Sequence, residues 1–187
     1  THVNGRSTDL PEYKNRFRVS PTGSVFEFGE ADFLFINDGQ GVFELQSWTS
    51  GRFLDSRKQV LREVPMDWGL AVQFHDVNDD GLPDLYVCND LFTPDRFWIN
   101  VGGGRFSELD PLSIRNFSTY SMGVDFSDVD RDGDVDVFVT DMLSPDPRKQ
   151  LTQVGQKAPV YWPIGRVSHR PQVKRNTLQV NRGDGTF

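Results

Sequence analysis

The sequence predicts an all-β fold: an incomplete β-propeller made of antiparallel four-stranded blades. Three observations point to it. A strand-turn-strand phrase occurs three times, two aspartate-rich loops keep a constant offset, and apolar residues alternate with a period of two around both.

The phrase is NDGQGVF at 37 to 43, NVGGGRF at 100 to 106 and NRGDGTF at 181 to 187. Each copy has Asn, two Gly and Phe at the same relative positions. Glycine tolerates positive backbone angles, so each copy reads as a tight turn whose final Phe can enter a core. The runs that precede them, FLFIN, RFWIN and TLQVN, supply one strand of each hairpin.

The longer repeat pairs AVQFHDVNDDGLPDLYVCN with GVDFSDVDRDGDVDVFVTD, and its first residues, Ala71 and Gly123, stand 52 positions apart. Val72 and Phe74 share one strand face, as Val124 and Phe126 do in the second copy. Valine-rich or aromatic runs follow each loop, so the loops connect strands. An EF-hand would need an amphipathic helix on each side, and neither side has a 3.6-residue pattern.

These elements assemble into units. Strands near 70 to 75, 84 to 89, 95 to 100 and 105 to 109 make the most complete blade, over 70–109. A half blade is expected over 31–47, from strands near 31 to 36 and 42 to 46. A further blade spans 120–187, interrupted by an insertion at about 143–175. That insertion holds Pro145, Pro147, Pro159, Pro163 and Pro171, with a short helix expected near 148 to 154. The segment 48 to 68 reads as irregular, with Trp48, Phe53 and Trp68 as packing anchors. Both ends of the chain interrupt a repeating unit, so residues 1–187 are expected to form a partial propeller domain.

Composition agrees with a folded domain. Of the 187 residues, 36% are hydrophobic, and 15 Phe and 4 Trp give ample aromatic surface to bury. Asp and Glu exceed Lys and Arg by 27 to 20, a net charge of −7, and much of the acid sits in the two loops. No basic stripe is present to meet phosphates, so nucleic acid is not an expected partner. The RKQ and HRPQVKR stretches read as solvated loops. No apolar run approaches the ~20 residues of a membrane-spanning helix. Cys88 is the single cysteine, lies in the apolar run LYVC, and is expected to be a buried thiol.

The loops carry the chemistry. Counting from Asp76, oxygen-bearing side chains fall at positions 1, 3, 5 and 9: Asp76, Asn78, Asp80 and Asp84. Gly81 takes position 6 and the Leu82 carbonyl position 7. The second loop repeats this with Asp128, Asp130, Asp132 and Asp136, with Gly133 at the turn and the Asp134 carbonyl at position 7. Hard oxygen donors at this spacing suit calcium, and two ions are expected. Magnesium demands a tighter octahedron, and zinc would call for a Cys/His cluster. The second loop has four carboxylates against three in the first, so it is expected to bind more tightly. Asp79 and Arg131, at position 4, are expected to face solvent. The competing reading is a pair of acidic turns that satisfy backbone groups and hold no ion.

No catalytic constellation is legible. His2, His75 and His169 form no triad pattern, and Ser47, Ser118 and Ser121 lack a nucleophile-elbow context. No catalytic residue is assigned.

The paired loops and NxGxGxF phrases resemble the FG-GAP or VCBS repeats of integrin-like β-propellers. The stretches EADFLFINDGQGVF, SWTSGRFLD, DWGLAVQFHDVNDDGLPDLYVCNDLFTPDRFWIN, SMGVDFSDVDRDGDVDVFVTDML and RNTLQVNRGDGTF are similar to the propeller region of CRTAC and ASPIC/UnbV-related proteins. This resemblance covers most of residues 30 to 187. It implies a calcium-stabilised propeller, commonly of seven blades, in an extracellular, cell-surface or periplasmic protein. The metal positions it carries over are Asp76, Asn78, Asp80 and Asp84, with Asp128, Asp130, Asp132 and Asp136. The expected role is a calcium-binding scaffold, adhesion or ligand-binding module without catalytic activity, its ligand a protein or a carbohydrate. The competing class is part of an exported carbohydrate-active enzyme, which would show a concave cleft with a separate carboxylate pair.

Overall fold

A computed structural model describes residues 2–3, 6–7, 16–19, 23, 25–91, 93–144, 146–153 and 170–187. Pro145, Pro159, Pro163 and His169 lie outside the described residues, as does much of the insertion. The described chain is nearly all β. Two short hairpins come first, β1 (His2–Val3) with β2 (Arg6–Ser7) and β3 (Phe17–Val19) with β4 (Val25–Glu27). A third pairs β5 (Leu34–Asn37) with β6 (Phe43–Gln46). The main body follows: β7 (Phe53–Leu54), β8 (Gly69–His75), β9 (Asp84–Asn89), β10 (Arg96–Asn100) and β11 (Phe106–Glu108). The second unit contains β12 (Phe117–Ser118), β13 (Ser121–Ser127), β14 (Asp136–Asp141), α1 (Pro147–Gln153), β15 (Gln172–Val173) and β16 (Thr177–Gln179).

The first blade has the strand order β7-β11-β10-β9-β8, with four antiparallel strands in sequence order. The irregular segment read at 48 to 68 in fact contributes a fifth strand, β7, which runs parallel to β11. Two residues are too short a run for periodicity to reveal. Tertiary contacts make the strand: the Phe53 ring is fully buried, and Phe106 N–H donates to the Arg52 carbonyl at 2.8 Å.

The second unit is a three-stranded antiparallel sheet, β13-β14-β16, among the described residues. Its first strand pair repeats that of the first blade: Phe74 faces Leu85 in one, Phe126 faces Val137 in the other. The insertion leaves β14 through α1 and returns at β15, which pairs with β12 in parallel. Helix α1 takes up the predicted short helix, so RKQ at 148 to 150 is helical, while RKQ at 57 to 59 lies in a turn. Pro147 opens it, and Asp146 Oδ1 accepts the Arg148 N–H at 2.9 Å, relieving one of the donors that a helix start leaves unpaired.

Two apolar clusters hold this arrangement. Between the blades, Val77, Tyr86, Cys88 and Phe97 of the first meet Val137 and Val139 of the second, with Val124, Phe126 and Phe187 packed against them. On the opposite face of the first blade, Trp48, Phe53, Leu85, Trp98 and Phe106 form the other cluster. Val124 and Phe126 thus cover the neighbouring blade, whereas their equivalents Val72 and Phe74 are exposed. Trp48 and Phe53 are core anchors, as expected, and Trp68 is half-buried with its indole N–H on the Glu27 carbonyl at 3.3 Å.

The three repeated turns share one mechanism. Asn37, Asn100 and Asn181 each accept, through Oδ1, the N–H of the glycine two residues on, at 2.7, 3.1 and 3.1 Å. Both glycines of every copy have positive φ, from 69° at Gly104 to 89° at Gly41. The final Phe behaves differently in each copy. Phe106 is buried, and Phe187 packs on Phe97 at 5.4 Å, but Phe43 is 61% exposed. A turn phrase specifies its own backbone, whereas burial of its last ring depends on which distant residues meet it, Phe53 for Phe106 and Phe97 for Phe187.

A buried carboxylate ties the two blades at the end of the sheets away from the aspartate loops. Asp95 accepts the Asn89 N–H on Oδ1, and the Tyr86 and Ser121 hydroxyls on Oδ2, each at 2.8 Å. Burial pushes its carboxyl up to about 7, against the three donors, and Asp141 adds to the rise. A carboxyl raised in the folded state contributes stability that is present below about pH 4 and is lost as pH rises through about 7. Asp95→Asn mimics the protonated form. Its stability relative to the parent chain is therefore expected to increase between pH 5 and pH 8 by on the order of a few kcal/mol. Urea unfolding of both proteins at a series of pH values checks this, and parallel pH profiles would refute it.

Candidate metal centre

The two aspartate loops lie side by side at one end of the blades because β8 and β13 carry them at equivalent register and the interblade cluster packs those strands together. In each loop position 4 and position 6 have positive φ: Asp79 at 55° with Gly81 at 81°, and Arg131 at 65° with Gly133 at 101°. This left-handed pair curls the chain so that successive N–H groups point inward. Asp79 and Arg131 themselves are exposed, as expected.

In the first loop, Asp76 accepts the Asp80 N–H at 3.2 Å and the Gly81 N–H at 2.8 Å. Asn78 Nδ2 donates to Asp80 Oδ2 at 3.0 Å, and Asp80 Oδ1 accepts the Leu82 N–H at 2.9 Å. Asp84 is buried, with Oδ2 on the Val77 N–H at 3.1 Å and Oδ1 on the Asn100 N–H at 2.7 Å. Burial raises its carboxyl above the ordinary value. The N–H groups of Asn100 and Val77 pull it back, while Asp80 and Asp76 add to the rise.

The second loop repeats the pattern. Asp128 accepts from the Arg131, Asp132 and Gly133 N–H groups at 2.6, 3.2 and 3.1 Å. Asp132 Oδ1 accepts the Asp134 N–H at 2.9 Å. Asp136, also buried, accepts from Val129 N–H at 2.8 Å and from Asn181 N–H at 2.9 Å. Desolvation within the loop raises the Asp130 carboxyl, and the charges of Asp132, Asp136 and Asp128 raise it further, against the Asp132 N–H.

The loops differ in how their acids are grouped. Among the described residues, one oxygen each from Asp128, Asp130 and Asp136 lies within 4.8 Å of the others, and the acids of the first loop form no such group. Position 3 is Asn78 in the first loop and Asp130 in the second, so the first loop has one carboxylate fewer to contribute, and its Asn78 Nδ2 donates to Asp80. Asp132 is not in the three-carboxylate group. Leu82 and Asp134 follow the turn glycines. The Asp134 side chain leans instead on the third glycine turn, where a Cβ at Gly183 would stand 2.6 Å from Asp134 Oδ2. A carboxylate has about four acceptor sites, so the backbone N–H bonds leave lone pairs for a cation. Hard oxygens gathered on a preformed turn are the donor chemistry that calcium takes.

Sequence reasoning passed over two residues that organise these loops. The main-chain N–H groups of Asn100 and Asn181 hold the buried position-9 carboxylates, and their side-chain amides cap the preceding carbonyls, Pro83 at 3.0 Å and Val135 at 3.2 Å. The signal was present in the NxGxGxF repeat, but its Asn read only as a turn former. The other candidates resolve into packing roles. His75 stacks on Phe126 at 5.0 Å, and the Ser118 and Ser121 hydroxyls donate to Asp141 and Asp95. Cys88 is buried, and burial, then the Asp95 charge, push its thiol well up, away from the reactive thiolate.

Fold and site together define a class: an all-β protein of packed antiparallel blades with an acidic turn between the first two strands of successive blades. Residues 76–139, which span both acidic loops, match the model of the FG-GAP-like repeat. The match concerns the repeat and not the narrower CRTAC and ASPIC/UnbV-related group. No curated protein and no solved structure gave a significant match. No described helix is long and apolar enough to cross a membrane.

Proposed function

We propose that this chain is a calcium-binding scaffold or ligand-binding module of extracellular type, without catalytic activity of its own. The observation that carries the reading is the convergence of Asp128, Asp130 and Asp136 oxygens within 4.8 Å. Three carboxylates that close repel one another, and a hard divalent cation relieves the repulsion while ordering the turn. Calcium, when bound, supplies positive charge and six to eight oxygen contacts. The Asp128, Asp130, Asp132 and Asp136 side chains with the Asp134 carbonyl would hold one ion. Asp76, Asn78, Asp80 and Asp84 with the Leu82 carbonyl would hold a second, more weakly.

The FG-GAP-like match supports this reading at the level of the repeat. The kinship with CRTAC and ASPIC/UnbV-related propellers rests on the quoted phrases. In it, residues 31–47, 70–109 and 120–187 are a half blade, a complete blade and an interrupted blade of a seven-bladed parent. The setting would be extracellular, cell-surface or periplasmic, and the ligand a protein or carbohydrate presented to the propeller loops.

Calcium titration of chelator-stripped protein by calorimetry tests the proposal. Uptake of two ions is expected, with Kd values of about 0.1–1 mM if the sites resemble other extracellular modules. At free calcium ~100 times Kd, each site should add about 2.7 kcal/mol to stability. Absence of heat and of any rise in Tm at about 10 mM calcium would return the loops to the reading of metal-free acidic turns.

A further inference from the structure

The geometry points to Asn181 as a positioning residue that couples the two acidic loops, so that a cation in either loop raises the affinity of the other. The inference rests on the calcium reading above and adds a regulatory property to it.

Asn181 is buried, and its main-chain N–H and both polar atoms of its side-chain amide are engaged. Its main-chain N–H donates to Asp136 Oδ1 at 2.9 Å, and its Oδ1 accepts the Gly183 N–H at 3.1 Å. Its Nδ2 makes two bonds. One goes to the Val135 carbonyl of its own loop at 3.2 Å, the other to the Val77 carbonyl of the preceding blade's loop at 2.9 Å. Val77 is itself buried, and its N–H is the donor that holds Asp84 Oδ2 at 3.1 Å. A continuous path therefore runs from Asp136 through the Asn181 main chain and amide, across residue Val77 from its carbonyl to its N–H, to Asp84. It joins the position-9 carboxylates of the two loops.

Asn100 shows that this path is more than a consequence of the turn. It occupies the equivalent place in the first blade and makes the equivalent local bonds: N–H to Asp84, Nδ2 to the Pro83 carbonyl, Oδ1 from Gly102 N–H. The Nδ2 bond across to the other loop is the difference. The Val77, Val137 and Val139 cluster keeps the two blades at the distance that bond requires.

The direction of coupling follows from ordering. A cation on the second loop fixes Asp136, hence the Asn181 main chain, hence the amide on Val77 and the N–H that orients Asp84. The first loop then binds with less left to order. Coupling free energies are reciprocal, so occupancy of the first loop favours the second by the same factor.

The test follows the Gly81 and Gly133 amide resonances, one in each loop, during calcium titration of the metal-free chain. Asp128→Ala, which disables the second loop, is expected to move the Gly81 midpoint to about 5-fold higher calcium or more. In an Asn181→Ala background the same substitution should leave that midpoint where it is, while in an Asn100→Ala background the shift should persist. A purely structural role for Asn181 would change midpoints without abolishing their interdependence. Hydrogen exchange at the Val77 amide gives a second readout that needs no change at Asn181: calcium should slow it more in the parent chain than in Asp128→Ala. Calcium shifts at both glycines with independent midpoints, or Val77 exchange indifferent to Asp128→Ala, would overturn the coupling alone. No calcium shift at either glycine would overturn the calcium reading and the coupling with it.

Discussion

Asp136→Ala is expected to weaken calcium uptake at the second loop by more than about 100-fold and to lower stability even without calcium. Loss of an outer partner of a metal site typically costs 10- to 100-fold in affinity, so loss of a direct carboxylate should cost at least the upper end. Asp136 is 1% exposed, which denies water an easy route to replace the missing oxygens. It also accepts the Val129 and Asn181 N–H groups, and leaving the buried Asn181 donor unpaired costs about 1–3 kcal/mol. Asp130→Ala separates the two effects. Asp130 is exposed and repelled by its neighbours, so its removal should reduce affinity while chelated stability stays level or rises slightly. Asp134→Ala, which spares the backbone carbonyl, should do less than either. Calorimetry with urea unfolding in chelator reads both quantities. Equal affinities for Asp136→Ala and the parent chain would remove Asp136 from the site.

Trp98→Ala should be the most damaging single core change, at about 3–5 kcal/mol. The indole is fully buried on β10. It contacts the Phe53 ring edge-on at 5.2 Å and the Trp48 ring at 5.8 Å, and the Arg96 guanidinium lies 6.0 Å from its centroid. Arg96 in turn bridges Asp67 at 2.5 Å and Glu108 at 2.9 Å. Removing the indole empties the centre of that face and loosens the cover that β7 provides. For a chain of this size the loss corresponds to a fall in Tm of on the order of 10 °C. Trp98→Phe, which keeps an aromatic ring in the space, should recover much of it. A thermal melt of Trp98→Ala within about 2 °C of the parent would show that the cluster is not a principal source of stability.

The sequence determined those features that short-range chemistry dictates. Two-residue alternation marked β8, β10 and β13, and the apolar runs after the loops marked β9 and β14. Asn-x-Gly-x-Gly spelled out turns whose glycines do adopt positive φ, and the Asp spacing spelled out two loops whose carboxylates collect their own backbone N–H groups. Each of these needs only neighbours within about ten positions. The tertiary structure decided what needs segments distant in sequence to meet. Strand β7 exists because Phe53 is buried beneath Trp98, and the same Phe of the turn phrase is core at position 106 but surface at position 43. Asp95 is a carboxylate in an ordinary loop until Tyr86 and Ser121, from adjacent sheets, close around it. Asn181 is one more turn former until its amide meets a carbonyl 104 residues earlier. Burial and long-range hydrogen bonds depend on which surfaces meet, and sequence periodicity encodes the surfaces but not their meeting.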